Sequence, residues 1–198
     1  MKQTITILLL LLFASLCHAH NHQTKNNQQN VPDLSGTWEL DKSQSRLSKR
    51  NPVLRGGTII LMITHNEPQI GILQKTNVDG EEKTKEFLYY TDGRGEVNLA
   101  NNLYLSFYNG MENTSSNSPP KIESRSRWKG AKLKVRYDIP VPVPGHSRMS
   151  RVDVEEEWVV SPDGKTLIHT SSFIGRGDRG LMIEVEPRKV QRVFNKVS

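Results

Sequence analysis

Apolar and polar residues alternate along much of the chain beyond residue 32, and a period of two predicts β-strands. In one segment Leu133, Val135 and Tyr137 occupy alternate positions, and Lys132 and Lys134 occupy positions between them. Because successive side chains of a strand point to opposite faces, this segment has one apolar face and one charged face. That combination is typical of a half-buried strand in an antiparallel sheet.

Turn signals divide this part of the chain into strands, and helical periodicity is nearly absent. The predicted strands are Gly36–Asp41, Gly57–His65, Gln69–Thr76, Glu82–Thr91, Leu103–Tyr108, Lys121–Trp128, Lys132–Ile139, Ser150–Val160, Thr166–Ile174 and Arg188–Lys196.

The lengths of the connections indicate how these strands are arranged. Connections after odd-numbered strands are mostly long and those after even-numbered strands mostly tight, with Asp79-Gly80 and Thr91–Asn102 as exceptions. The long connections are 42–56, 109–120, 140–149 and 175–187. Alternate loops of an up-and-down barrel lie at the same end, so the pattern predicts a closed floor and an elaborated mouth. We predict an all-β fold, a single up-and-down antiparallel β-barrel of about 8–10 strands with little helix.

The first 19 residues have the pattern of an export signal peptide. Lys2 precedes an apolar run at Ile5–Leu16. Small residues at Cys17 and Ala19 then suit cleavage after Ala19. No second long hydrophobic stretch follows, so no transmembrane segment is expected.

After the signal we predict a polar tether at 20–32 and one folded domain at 33–198. Residues 20–30 contain no apolar side chain, which predicts disorder. The expected location is the periplasm or the outside of the cell. Lipid attachment at Cys17 is the alternative to a free mature protein.

Composition removes several kinds of chemistry from consideration. Cys17 is the only cysteine, so cleavage after Ala19 leaves a protein without thiols, disulfides or cysteine metal sites. The formal net charge of +6 is interspersed along the chain, which favours a solvated surface. An exported protein seldom meets nucleic acid, and no nucleic-acid partner is predicted.

Three motifs carry a resemblance to a known family. They are Ser-Gly-x-Trp at Ser35–Trp38, Ser-x-Trp-x-Gly at Ser126–Gly130, and a Glu-x-Trp-x-x-Ser-Pro-Asp-Gly-Lys hairpin at Glu156–Lys165. Their order and spacing resemble lipocalin-like (calycin-type) barrels, and most closely small exported bacterial lipocalin-like proteins of unknown function. The resemblance implies a barrel with a general binding role, but no particular ligand.

The same resemblance implies how the barrel closes. Gly36 and Trp38 would open the first strand, and Arg192 on the last strand would pack over the Trp38 ring. A guanidinium over an indole gains cation–π energy, and the contact would join the first and last strands so that no edge is free.

Alternation from Trp38 places a mixed set of side chains inside the barrel. The candidate ligand-binding residues are Ser124, Ser126, Tyr137, Glu156, Trp158, His169, Ser171 and Phe173. A mostly apolar lining with a few polar groups is typical of a pocket for a small hydrophobic or amphipathic molecule. The alternative is a packed core in which the hydroxyls bond to the backbone.

Glu156 is the residue that decides most about this interior. An inward carboxylate is costly unless it is paired, so it could orient a cationic or hydroxylated ligand or bond His169 on the next strand. The alternatives are that Glu156 is wet near the mouth or faces outward. An enzyme built on this pair would require Glu156 and His169 to converge. No catalytic residue and no cofactor is predicted.

Two further groups lie near the ends of the molecule. A basic cluster in the first long loop could attract an anionic head group or could simply be solvated; its members are Arg46, Lys49, Arg50 and Arg55. Cleavage after Ala19 would expose His20 and His22, which could bind Cu(II) or Ni(II). The alternative is that these two histidines occur by chance in a polar segment. No metal site is predicted.

The function predicted is an exported, non-enzymatic binding protein that holds a small hydrophobic or amphipathic ligand in its barrel. The alternatives are a module with a filled core that binds a protein or glycan through its mouth loops, and an envelope enzyme that uses Glu156 and His169.

Overall fold

The computed structural model describes residues 31–47, 53, 56–99, 121–142, 149–176 and 189–197. These residues form ten strands in chain order, with no α-helix among them. The strands are β1 (Gly36–Arg46), β2 (Thr58–Asn66), β3 (Gln69–Val78), β4 (Glu81–Tyr90), β5 (Glu96–Leu99), β6 (Lys121–Lys129), β7 (Lys132–Pro142), β8 (Met149–Val160), β9 (Thr166–Arg176) and β10 (Lys189–Val197).

The strands form one antiparallel sheet in the order β4-β3-β2-β1-β10-β9-β8-β7-β6-β5. Each strand pairs with its neighbour in sequence, except that β1 pairs with β10 and β4 does not pair with β5. The predicted all-β, up-and-down barrel is confirmed, and so is the pairing of its first and last strands. Within the described residues no helix has the length and apolarity needed to cross a lipid bilayer.

The fifth strand differs from the prediction. β5 lies at Glu96–Leu99, inside the stretch that we expected to be a loop, while Leu103–Tyr108 falls outside the described residues. Glu96 is buried, whereas Val97 is 55% exposed. The apolar and polar positions of β5 are thus inverted relative to an ordinary half-buried strand, and the alternation pattern could not reveal it.

The prediction that no edge is free is also wrong, because the barrel has a seam between β4 and β5. Side chains cross this seam in place of a backbone ladder. The side-chain amide of Asn98 accepts from the Leu88 N–H and donates to the Leu88 carbonyl, both at 2.9 Å. Glu96 accepts from the Tyr90 N–H at 3.2 Å. The two sheet edges are therefore joined by polar side chains.

Glu67, in the tight turn between β2 and β3, fastens the floor end of the seam. Its carboxylate accepts from Trp128 Nε1 of β6 at 2.6 Å and from the hydroxyl of Thr91, directly after β4. It also lies 2.8 Å from Nε2 of His65. One carboxylate thus bonds both sides of the seam.

The contact predicted between Trp38 and Arg192 is not the one that joins β1 to β10. Trp38 is opposite Lys196, whose Nζ lies 5.0 Å from the centre of the indole ring. Arg192 is four residues further along β10, roughly 13 Å at ~3.3 Å per residue, and its side chain turns into the barrel. The ladder between Thr37 and Asp41 is regular, so the offset does not come from the irregularity between Asp41 and Arg46.

The floor half of the barrel is filled by large side chains. Trp38, Trp158 and Phe194 are fully buried there, together with Leu61 and Leu133. Short turns connect the strands at this end, including the predicted turn 161–165, where Ser161 accepts from the Gly164 N–H at 2.9 Å. This packed floor limits access to the interior from below.

Candidate ligand-binding site inside the barrel

All the predicted interior side chains face inward, and none of them is more than 7% exposed. They come from β6, β7, β8 and β9, four strands that are consecutive in the sheet. Their strands alternate as the sequence pattern requires, and the outward positions of β6, β7 and β8 are mostly charged. The alternatives for Glu156, a wet position or an outward orientation, are therefore wrong.

Glu156 lies at the centre of a buried polar network. Its carboxylate accepts from the Tyr137 hydroxyl at 2.6 Å and from the Tyr89 hydroxyl at 3.3 Å. Nε2 of His169 is also 3.3 Å from Glu156 Oε2. Glu156 and His169 therefore converge, and both have no exposed surface.

Arg192 completes this network from β10. Its Nη1 lies 3.4 Å from Nδ1 of His169 and 3.5 Å from the Ser171 hydroxyl. Because a guanidinium can only donate, it faces the imidazole nitrogen that lacks a proton, and Nε2 of His169 then carries the proton on the side of Glu156. We call the five residues Glu156, Tyr137, Tyr89, His169 and Arg192 the Glu156 cluster.

The protonation states follow from this arrangement. Burial alone would raise the pKa of Glu156, but His169, the Tyr137 hydrogen bond and the Arg192 charge outweigh it and hold the pKa below its ordinary value. Burial, helped by Arg192 and opposed by Glu156, lowers the pKa of His169. Near neutral pH the cluster thus holds one carboxylate, one guanidinium and a neutral imidazole.

Tyr137 remains a hydrogen-bond donor throughout the physiological range. Burial, together with the neighbouring Glu156 charge and hydrogen bond, raises the pKa of its phenol well above the ordinary value. The hydroxyl therefore keeps its proton, and its hydrogen bond stabilises the ionised form of Glu156.

Trp158, which is opposite His169 in the β8–β9 pair, packs against the Glu156 cluster. The Trp158 ring stacks on His169 with the centroids 4.0 Å apart and the planes 26° from parallel. Stacking fixes the orientation of the imidazole, since offset ring pairs resist rotation of either ring. Ring stacking against Trp158 thus holds the network together with its hydrogen bonds.

A second buried carboxylate, which sequence analysis missed, lies beside the seam. Glu96 accepts from the Ser124 and Ser126 hydroxyls, each at 2.7 Å. Those two serines were predicted to line a cavity, and they bond instead to this acid. A polar residue directly after a Gly-x-Gly turn carries little signal, because such segments usually belong to exposed loops.

Sequence analysis also missed Tyr89 and the interior position of Arg192. Tyr89 lies on the apolar face of β4, where it resembles any core aromatic until its hydroxyl partner is known. Arg192 alternates with Val190 and Phe194, which is a signal for an inward position. Because Arg192 was assigned to the contact with Trp38, it was not counted among the residues of the interior site.

Of the candidates in the first long loop and near the amino terminus, the structure describes Arg46. Arg46 is exposed at the end of β1. Lys49, Arg50, Arg55, His20, His22 and Cys17 lie outside the described residues. Across the described ranges, no three potential metal ligands converge.

The Glu156 cluster can bind and orient a polar group, because it offers donors and acceptors in a water-excluded setting. The convergence that an enzyme hypothesis required is present. Both members of the pair are enclosed, however, so a substrate would first have to displace the side chains around them.

Comparison with known proteins places these features in context. No protein-family model matches the chain, and no curated protein matches its sequence. Similar solved structures include a REP1-NXSQ fatty acid transporter, at 12% identity and a TM-score of 0.47, covering 84% of this chain and 97% of that one. Human cRBP IV has 12% identity and a TM-score of 0.49 over 84% of this chain and 99% of that one. Apo Caenorhabditis elegans lipid binding protein 8 has 10% identity and a TM-score of 0.49 over 85% and 99%. We draw no functional argument from likenesses at this level.

Proposed function

We propose that this protein is a binding protein that holds one small amphipathic molecule in its barrel, with the polar end of that molecule at the Glu156 cluster. The apolar part would lie between the cluster and the mouth, beside Phe173 and the other inward side chains of that half. The observation that carries the proposal is an enclosed, charged network about halfway along a mostly apolar interior.

The energetics of burial support a functional role for the cluster. Replacing a buried ion pair by apolar residues of similar size is often neutral or stabilising, so stability alone gives little reason to keep Glu156 and Arg192 inside. Buried groups with perturbed pKa values concentrate at functional sites. A polar ligand group is a physical reason for their presence.

Exposure along the barrel supports entry from the mouth. Phe173 and Val190, near the mouth, are 7% and 6% exposed, whereas Trp158 and Leu167, toward the floor, are fully buried. Phe173 and Val190 would offer a ligand that approaches from the mouth a small exposed apolar surface for first contact. Because the cluster itself is enclosed, we expect binding to move side chains on the mouth side.

The test uses a pair of amphipathic fluorescent probes that differ in one charged group. 8-Anilinonaphthalene-1-sulfonate carries a sulfonate, and N-phenyl-1-naphthylamine is its uncharged analogue. We expect one probe molecule per barrel by native mass spectrometry, with the charged probe preferred. The Glu156→Gln, Arg192→Met double variant removes both interior charges together, and we expect it to lose that preference.

The matched control is Glu155→Gln with Arg136→Met, the same two chemical changes in an ion pair on the outer face. It should bind both probes like the original protein. Absence of any stoichiometric complex with the original protein would rule out the carrier role and leave the filled-core interaction module. Equal losses in both double variants would rule out anchoring at the cluster.

Export is part of the proposal. The charged start, apolar run and small residues of 1–19 support it. After expression of the full chain, amino-terminal sequencing of the protein in the periplasmic or secreted fraction should give a mature chain that begins at His20. A chain that retains Met1 in the cytoplasm would contradict it, and a lipid-modified Cys17 at the amino terminus would identify the lipoprotein alternative.

A further inference from the structure

The outer face of the β6–β7 hairpin carries cations directly opposite cations. Three consecutive cross-strand pairs are Arg125 with Arg136, Arg127 with Lys134, and Lys129 with Lys132. Like charges directly opposite one another destabilise an antiparallel pair. An anionic group, either elsewhere in the fold or outside it, would therefore stabilise a run of three such pairs.

The neighbouring strand β8 neutralises only the β7 column. Lys134 Nζ lies 2.8 Å from a Glu155 oxygen and 2.6 Å from a Glu157 oxygen. Lys132 lies 2.8 Å from Glu157, and Arg136 lies 2.6 Å from Glu155. These hydrogen bonds raise the pKa of Lys134. The two carboxylates of β8 are thus shared among three cations.

The β6 column has no such partner. None of the ion pairs formed by the described residues includes Arg125, Arg127 or Lys129. Asp92 is opposite Arg127 in an isolated bridge, but its carboxylate bonds the guanidinium of Arg94. We call Arg125, Arg127 and Lys129 the β6 basic row.

The surface around this row is concave. A groove of about 1030 Å³ runs across the outer faces of β5 to β8 and is flanked by the turn that contains Arg94. Acidic side chains also border it, including Glu123, Asp138 and Asp153. The cations in the middle of the groove recur every second residue, roughly 6.6 Å apart along each strand at ~3.3 Å per residue.

We propose that this groove binds a linear anionic polysaccharide, with Arg125 and Arg127 as its principal contacts. Arginine forms paired hydrogen bonds with two oxygens of a planar carboxylate group or of a tetrahedral sulfate group. A chain with regularly repeated charges matches a regular row of cations, and clusters of basic residues are typical of heparin-binding patches.

Other polyanions fit this surface less well. Single-stranded nucleic acid is held by stacking on aromatic rings, and the outward positions of residues 121–138 carry no aromatic side chain. A bilayer surface is flat on the scale of one domain, so it cannot enter a groove. These alternatives become outcomes of the test below.

The test measures binding of a heparin octasaccharide to the full mature chain by calorimetry over a series of NaCl concentrations. We expect Arg125→Ser with Arg127→Ser to weaken binding about tenfold or more at low salt and to reduce its salt dependence, because two contacts that release counterions are lost. Circular dichroism and the urea midpoint establish that the variant is folded.

The matched control is Lys75→Ser with Lys165→Ser, which removes the same charge from a partly exposed position on β3 and an exposed position in the β8–β9 turn. It should change the affinity by less than about twofold, because charges that far from the groove are screened. Equal losses in both variants would reduce the effect to net charge and overturn the proposal. Equal or tighter binding of oligothymidylate, or of phosphatidylserine vesicles, would overturn it in favour of those partners.

Discussion

Glu155, Glu156 and Glu157 are consecutive residues of β8, yet they lie in two different environments. Glu155 and Glu157 face outward and share Lys134, with partial exposure to solvent. Glu156 faces inward and has no exposed surface, and its partners are Tyr137, Tyr89 and His169. One residue type, displaced by one position, changes from a screened surface charge to an enclosed one.

The comparison teaches that geometry sets the energetic role of a charge. An exposed ion pair contributes about 0.2–1 kcal/mol because water already solvates both partners. An enclosed charge depends on partners fixed by the fold, and removal of one partner costs about 3–5 kcal/mol. The two faces of β8 can therefore be separated by experiments that leave the strand itself intact.

The largest effect is expected when the interior loses its cation alone. Arg192→Met leaves the Glu156 carboxylate buried without its balancing charge, and we expect a loss of about 3–5 kcal/mol in the free energy of unfolding. Urea titration followed by tryptophan fluorescence measures it. Adding Glu156→Gln to the same chain should recover most of the loss. A single variant as stable as the original protein would mean that Arg192 does not balance Glu156.

A smaller effect is expected at the second buried carboxylate. Glu96→Gln keeps one acceptor oxygen but cannot serve Ser124, Ser126 and the Tyr90 N–H together, so we expect a loss of about 1–3 kcal/mol. Hydrogen exchange should show faster exchange of the Tyr90 amide, while amides in β8 stay protected. Unchanged exchange at Tyr90 would contradict the role of Glu96 in closing the seam.

The pH dependence of stability distinguishes the two faces by its range. Burial holds the pKa of His169 below its ordinary value of 6.5, so the unfolded chain takes up this proton first as the pH falls. Stability should therefore decrease below about pH 6.5, by up to about 1.4 kcal/mol per pH unit for one proton.

His169→Gln should remove that decrease. Glu155→Gln should leave it in place, because the pKa of Glu155 is lowered by Lys134 and its contribution is lost only at more acidic pH. Urea midpoints between pH 8 and pH 5 make the measurement. Identical pH profiles for His169→Gln and the original protein would contradict a neutral, buried imidazole.

The smallest effect is expected on the outer face. Glu155→Gln removes a carboxylate that bonds Lys134 and Arg136, and we expect a loss of about 0.2–1 kcal/mol that disappears at high salt. Unfolding at low and high NaCl concentration tests both parts. A loss as large as that of Arg192→Met would contradict the distinction between the faces.

The strands with ordinary alternation were predictable from the sequence, and β7 and β8 show why. Their inward apolar and outward charged positions are imposed by burial of one face, so a period of two carries the information. β5 breaks the rule, because Glu96 and Asn98 bond the seam from the inside while Val97 and Leu99 face outward.

The site was predictable only in part, for a related reason. Alternation assigns a side chain to a face but not to a height along the barrel, so it placed Glu156 and His169 inside without the partners that Arg192 and Tyr89 supply. The register of β1 against β10 places Lys196 opposite Trp38, and Arg192 is four residues away from that position. Local sequence does not encode such an offset.

The seam between β4 and β5 also bears on how copies of this chain behave together. An unpaired strand edge is a template on which another molecule can add a strand, and repeated addition produces aggregates. Asn98 already occupies both hydrogen-bonding groups of Leu88, and Glu96 occupies the Tyr90 N–H. The polar side chains that complete the wall of one barrel thus also occupy, at Leu88 and Tyr90, the backbone groups to which a strand of a neighbouring molecule would add.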